Sequence, residues 1–248
     1  MKPWKEINKK VTAINSNGKH EDALKLAQKS FQVATSEYGS SHPNVAVALS
    51  KLAGLYKEKG NLAKAEQAYE KALEIREKVY GHDDVNVATS LNDLAVLYKA
   101  QGDFFEAESM HKKALDIRER LLGKYHLDVA VSLNNLAVLY DSWRKHQEAE
   151  PLYQRAIEVI EKNKGSTHPD VATLLNNLGG LYKSQGLFDE AEPIYQRALA
   201  IRKKALGANH PLVGLILRNL GTLYKRAGKL TKATKYKEEE RRIRAKNR

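Results

Sequence analysis

The chain has 248 residues, 42% hydrophobic and 29% charged, enough to bury a core and ordinary for a folded protein. It has no cysteine, which excludes disulfides and thiolate chemistry, and no apolar run approaches the ~18 residues of a membrane span or the apolar stretch of a signal peptide, so a cytoplasmic protein without a membrane partner is the default expectation. The net charge of +12 suggests nucleic acid, yet residues 1–20 carry +4 and residues 229–248 carry +6, leaving +2 for the 208 between; basic ends are not the continuous basic track that nucleic acid needs.

Along the chain, one period organises everything else. Gly18, Gly60, Gly102, Gly186 and Gly228 fall 42 residues or a multiple apart, with Arg144 in the one slot that lacks glycine. The same step carries His42, His126, His168 and His210, the leucines 52, 94, 136, 178 and 220, and the tyrosines 56, 98, 140, 182 and 224. Ala65, Ala107, Ala149, Ala191 and Ala233 keep it as well. Six units result, approximately 1–40, 41–82, 83–124, 125–166, 167–208 and 209–248, read as one domain over 1–248.

Each unit reads as two helices. The first opens at a His-Pro pair, with Pro43, Pro169 or Pro211 at the first helical position and Asn44 or Asp170 near the positive end of the helix dipole. Apolar residues then recur at helical spacing, as in Leu174, Leu175, Leu178, Leu181 and Tyr182, until glycine ends the helix. The second helix places Ala191, Ile194, Tyr195, Ala198, Leu199 and Ile201 on one side and stops at Gly207. Neither helix can bury its stripe alone, so the units must stack into an all-α solenoid of helix-turn-helix units.

The phrases "LNNLAVLY", "HPDVA", "AEPLYQRA" and "IREK", with the small-residue and Tyr pattern around them, resemble the tetratricopeptide repeat (TPR) in the 42-residue form of kinesin light chains and related bacterial proteins. The resemblance covers essentially the whole chain. It implies a right-handed superhelix and a protein-binding scaffold without enzymatic activity or cofactor. Kinesin light chains also carry a heptad coiled coil, and no sustained heptad region occurs here, so the resemblance points to a bacterial or engineered relative rather than a motor subunit.

The helical wheel singles out a stripe that does not serve the core. Counting from Asn176, the neighbours on its face are Thr173, Gly180 and Lys183, none large and apolar. In the other units the Asn176 position holds Asn8, Ser50, Asn92, Asn134 and Arg218; the Lys183 position holds Asn15, Lys57, Lys99, Asp141 and Lys225. The resemblance implies that this stripe lines a concave groove for an extended peptide. The expected site is therefore Asn92, Asn134, Asn176 and Arg218, flanked by Lys57, Lys99, Lys183 and Lys225. An asparagine can donate to and accept from a peptide backbone, and the lysines favour acidic side chains. A large anchor residue is expected beside Gly54 and Gly180. The second asparagine of each pair, Asn135, Asn177 or Asn219, faces differently and is expected to hold helices together.

Other motifs weigh little. The histidines occur once per unit and form no metal-ligand cluster, so helix capping is their expected role and no metal site is assigned. No phosphate-binding loop, nucleophile elbow or dinucleotide fingerprint occurs. The segment "DSWRKHQ", 141–147, is where the pattern breaks, read as a turn covered by tryptophan or a local contact site. Two further readings stay open: self-assembly through terminal units, where Leu230, Tyr236 and Ile243 of the last helix look available, and nucleic-acid binding through the basic ends.

Overall fold

The computed structural model describes residues 3–247. Among them are twelve α-helices and no strand: α1 Pro3–Ser16, α2 His20–Tyr38, α3 Pro43–Glu58, α4 Leu62–Tyr80, α5 Val85–Gln101, α6 Phe104–Leu122, α7 Leu127–Ser142, α8 His146–Lys164, α9 Pro169–Gln185, α10 Phe188–Leu206, α11 Pro211–Arg226 and α12 Leu230–Lys246. Each odd–even pair falls within one 42-residue unit. The helices gather into two compact units that divide between Leu121 and Leu122, at the end of α6.

The helix starts follow from side-chain chemistry. His42, His126, His168 and His210 each sit in extended backbone before a first helix, and each Nδ1 accepts the N–H of the residue two positions on at 3.1 Å. In the one remaining described unit with this loop, Asp84 does the same for Asn86 at 2.7 Å. A cap of this kind stabilises a helix by about 1 kcal/mol. Accepting through Nδ1 fixes the imidazole proton on Nε2, a role that needs neither metal nor substrate.

The packing explains the period. Within the first unit α1 to α5 pack consecutively, and within the second α7 to α12 do. In addition α3 touches α5 in the first unit, and α7 touches α9 and α9 touches α11 in the second, so within each unit first helices also meet one another. Ala23, Ala65, Ala107, Ala149 and Ala191 are completely buried, one per second helix, where a methyl group is all that close helix approach permits. Leu94, Leu136, Leu178 and Leu220 are buried on the facing side. A second tie recurs between repeats: Tyr182 donates to Glu150 and Tyr224 to Glu192, both at 2.7 Å.

At the pattern break, Arg144 takes the glycine slot with φ 60°, close to the 82° of Gly186 at the equivalent turn. An L-residue with a Cβ pays about 1–2 kcal/mol for that conformation. Lys145 lies over the Trp143 ring at 3.3 Å, so the tryptophan does cover the turn. Arg144→Gly is expected to raise the thermal midpoint by about 2–4 °C, read by circular dichroism; an unchanged or lower midpoint would show that the arginine side chain compensates for its backbone.

Candidate functional site

In the second unit the predicted stripe lies on α7, α9 and α11. Asn134 and Asn176 are half-buried and Arg218 is exposed. The paired asparagines form a ladder along the row: Asn177 Nδ2 donates to Asn134 Oδ1 at 3.0 Å, and Asn219 Nδ2 donates to Asn176 Oδ1 at 2.8 Å. The second asparagine thus joins neighbouring repeats, through a side chain rather than a backbone group. The first commits its carbonyl oxygen to that bond, while its amide nitrogen takes no part in it.

Cations crowd the far end of the stripe. Lys183 is half-buried, and burial lowers its pKa first, followed by the positive charges of Arg226 and Arg218. Arg226 was not foreseen: its position holds Ser142 and Ser184 in the two preceding repeats, so only a column-by-column comparison of the 42-residue step would have exposed it. Lys225, expected at the rim, is exposed. Asp141, in the lysine column, has its pKa raised by burial despite His146 beside it.

The anchor space differs from expectation. The hydroxyl of Tyr69 lies 3.5 Å from where a Cβ on Gly54 would sit, and that of Tyr195 lies 3.7 Å from the equivalent point on Gly180. The tyrosines of the following helices therefore fill that space. A cavity of about 280 Å³ opens instead one turn earlier, lined by Val131, Asn134, Thr173, Leu174, Ala130, Ile160 and Asp170. Val131 is 50% exposed although apolar, and Leu215, two repeats on, is 37% exposed. These positions escape a stripe counted from Asn176, because their column holds the polar Thr173 in that repeat.

In the first unit the stripe is closed from beneath. Asn92 is buried, its Oδ1 2.6 Å from Nδ1 of His111, and so does not belong to an exposed ladder. His111 occupies the column that holds Tyr69, Tyr153 and Tyr195 elsewhere, and an imidazole is short enough to meet the amide. Ser50 accepts from the buried Arg76 at 3.2 Å. Lys57 and Lys99 are half-buried; burial lowers Lys99's pKa, and Lys57 adds to the effect. Asp93 replaces the second asparagine, and burial lifts its pKa to about 6 against Arg76, Lys57 and Arg118.

The terminal helix also differs from expectation. Ile243 is buried, its Cγ2 3.5 Å from a Cβ position on Gly214, and Tyr236 stacks on Tyr224 at 5.3 Å. Leu230 alone of the three residues proposed for self-assembly is exposed, at 64%. Part of the basic end is paired, Lys229 with Asp189 at 3.3 Å and Lys232 with Glu192 at 3.4 Å. Among the described residues no helix is long and apolar enough to cross a membrane, and no group of three His, Asp or Glu is placed to hold a metal.

Sequence profiles of the tetratricopeptide repeat match residues 8–78, 48–104, 86–162, 144–204 and 170–246. The chain belongs to the tetratricopeptide repeat family. Its repeats are of the kinesin-light-chain-like type: the crystal structure of BtubC (BKLC) from P. vanneervenii is similar with 31% identity over 91% of each chain and a TM-score of 0.78. Nearly identical TPR-like repeats of a kinesin-light-chain-like protein from Podosopora anserina share the fold at 23% identity, covering 82% of this chain and 96% of that one, TM-score 0.65. A Rap protein complexed with competence and sporulation factor shares the fold at 15% identity, covering 98% and 75%, TM-score 0.68. No curated protein matches the chain by sequence. As a TPR protein the chain is a scaffold of the kind that commonly mediates protein–protein interaction.

The burial of His111 predicts acid sensitivity for the first unit. Burial, then the charges of Lys99 and Arg118, push its pKa down to about 4, and Nε2 is buried without a hydrogen-bond partner. A histidine whose folded pKa is depressed contributes stability above its unfolded value of about 6.5, and that contribution is lost as pH falls from there through about 4. Asp93 works oppositely: with its folded pKa raised to about 6, its contribution is present at low pH and lost as pH rises through that value. His111→Tyr, the residue of the neighbouring columns, removes only the first effect. The urea midpoint of the parent should therefore fall more steeply between pH 7 and pH 4.5 than that of the variant; equal slopes would exclude His111 as the sensor.

Proposed function

We propose that the chain captures an extended acidic protein segment, with the second unit's row of first helices as its principal docking face. The observation that carries this reading is the combination on one row of an amide ladder, an apolar cavity at Val131 and a cluster in which Arg226 and Arg218 add to the cost of the charge on half-buried Lys183. An acidic side chain among those three cations would relieve the crowding, most strongly on association rate and salt dependence. A medium-sized apolar or aromatic side chain in the cavity would supply the larger share of affinity.

The amide nitrogens of Asn134 and Asn176 would donate to backbone carbonyls of the segment, at about 0.5–1.5 kcal/mol net per bond. Successive first helices lie on the order of 10 Å apart, and an extended chain advances about 3.3 Å per residue. Neighbouring rungs would therefore meet segment residues about three apart. Lys57 and Lys99 give the first unit a smaller basic stretch of the same sign, while the burial of Asn92 removes one rung of the ladder first expected. The Rap protein complexed with competence and sporulation factor supports the reading only in that the same fold carries a bound factor there.

The test is an array of acidic 12-residue peptides, each with a single Trp, Phe or Leu, followed by fluorescence anisotropy on the hits. Binding should weaken with added NaCl, and Val131→Asp or Lys183→Glu should each cost about tenfold in affinity. Both positions lie outside the fully buried core, so circular dichroism should be unchanged. An array without hits, or variants that bind as tightly as the parent, would remove the reading.

A further inference from the structure

The repeat breaks its own pattern in three columns at once around the α7–α8 turn. Asp141 replaces lysine, Arg144 replaces glycine and His146 stands where the neighbouring columns hold Phe104 and Phe188. The structure brings all three to one cavity of about 410 Å³, completed by Ser142, Ser184 and Arg226. Every lining residue is polar, and Arg144 enters only by adopting a backbone conformation that favours glycine. We propose that this cavity is a binding site for a phosphoryl group, as inorganic phosphate or a phosphate monoester.

The donor and acceptor sets point to that ligand. Two guanidiniums present planar forks of N–H donors that suit the oxygens of a phosphate, and their charge exceeds that of the single carboxylate. Lys145, the residue before α8, makes no side-chain cap, so the helix's first N–H groups add positive potential nearby. Acceptors are present too. Ser142 donates its hydroxyl proton to Val138 O at 2.8 Å and Ser184 to Leu181 O at 2.7 Å, so both offer lone pairs. Asp141 lies 3.4 Å from Nδ1 of His146, and burial raises its pKa, so its carboxylate takes up a ligand's proton more readily than an exposed one would. A ligand must therefore bring anionic oxygens and a proton of its own. Inorganic phosphate keeps at least one P–OH proton at neutral pH, and a monoester, whose second ionisation lies near pH 6, offers one in its monoanion; sulfate carries none, and its oxygens would face the Asp141 carboxylate.

This site does not rest on the acidic-segment reading, although Arg226 borders both regions. Isothermal titration of the intact chain with inorganic phosphate, with sulfate at matched ionic strength and with O-phosphoserine tests it. Saturable phosphate binding is expected, with sulfate at least tenfold weaker. The double variant Arg144→Gly with Arg226→Ser restores the residues that neighbouring repeats carry, so its melting temperature should not fall, while phosphate affinity should drop at least tenfold. Asp141→Asn should narrow the gap between phosphate and sulfate. Phosphoserine binding as tight as phosphate would assign the site to a phosphorylated group, and its exclusion would assign it to the free ion; both support the proposal. Equal binding of phosphate and sulfate, no saturable phosphate binding, or full affinity in the double variant would overturn it.

Discussion

A helix pair of this chain cannot bury its own apolar surface, and the rest of the structure depends on that constraint. Alanine at one point of each second helix and leucine at the facing point of each first helix leave a pair with two open sides. Each side closes only when the next pair arrives in register. The step of 42 residues is therefore a packing requirement, and the features that repeat most faithfully touch a neighbouring element or start a helix: the buried alanines, the Tyr–Glu bonds between repeats and the histidine caps.

The polar stripe obeys the same logic with a different result in each unit. In the second, Asn177 and Asn219 reach back one repeat and bond Asn134 and Asn176, so the ladder holds repeats together and at the same time fixes the orientation of the first amides. A fixed amide loses little entropy on meeting a peptide, which is how a structural hydrogen bond can serve recognition. In the first unit the columns have changed: Asp93 and His111 enter, Asn92 turns to a buried partner, and the stripe becomes part of a charged interior network with Arg76 and Arg118. One architecture thus supports an open polar face in one unit and a closed one in the other.

Much of this was legible in the sequence. Helix pairs, caps and the role of the second asparagine as a tie between helices follow from spacing and hydrogen-bonding capacity, which are local properties. What was not legible depended on the second helix. The burial of Asn92 follows from a histidine nineteen positions later, and the filling of the space at Gly54 and Gly180 follows from tyrosines on α4 and α10. Ile243 looked available because its helix is the last and mostly polar, yet Gly214 leaves room for it to pack inward. A helical wheel shows which residues share a face but not what the next helix brings against that face.

The central claim is that Asn134 and Asn176 present their amide nitrogens to a bound segment while Asn92 remains interior. Side-chain amide resonances of the asparagines, followed by NMR during titration with an acidic peptide drawn from the array, address this directly. The account predicts that the Asn134 and Asn176 amides shift most and saturate together, while that of Asn92 stays in place. Saturation with both ladder amides unmoved would contradict it.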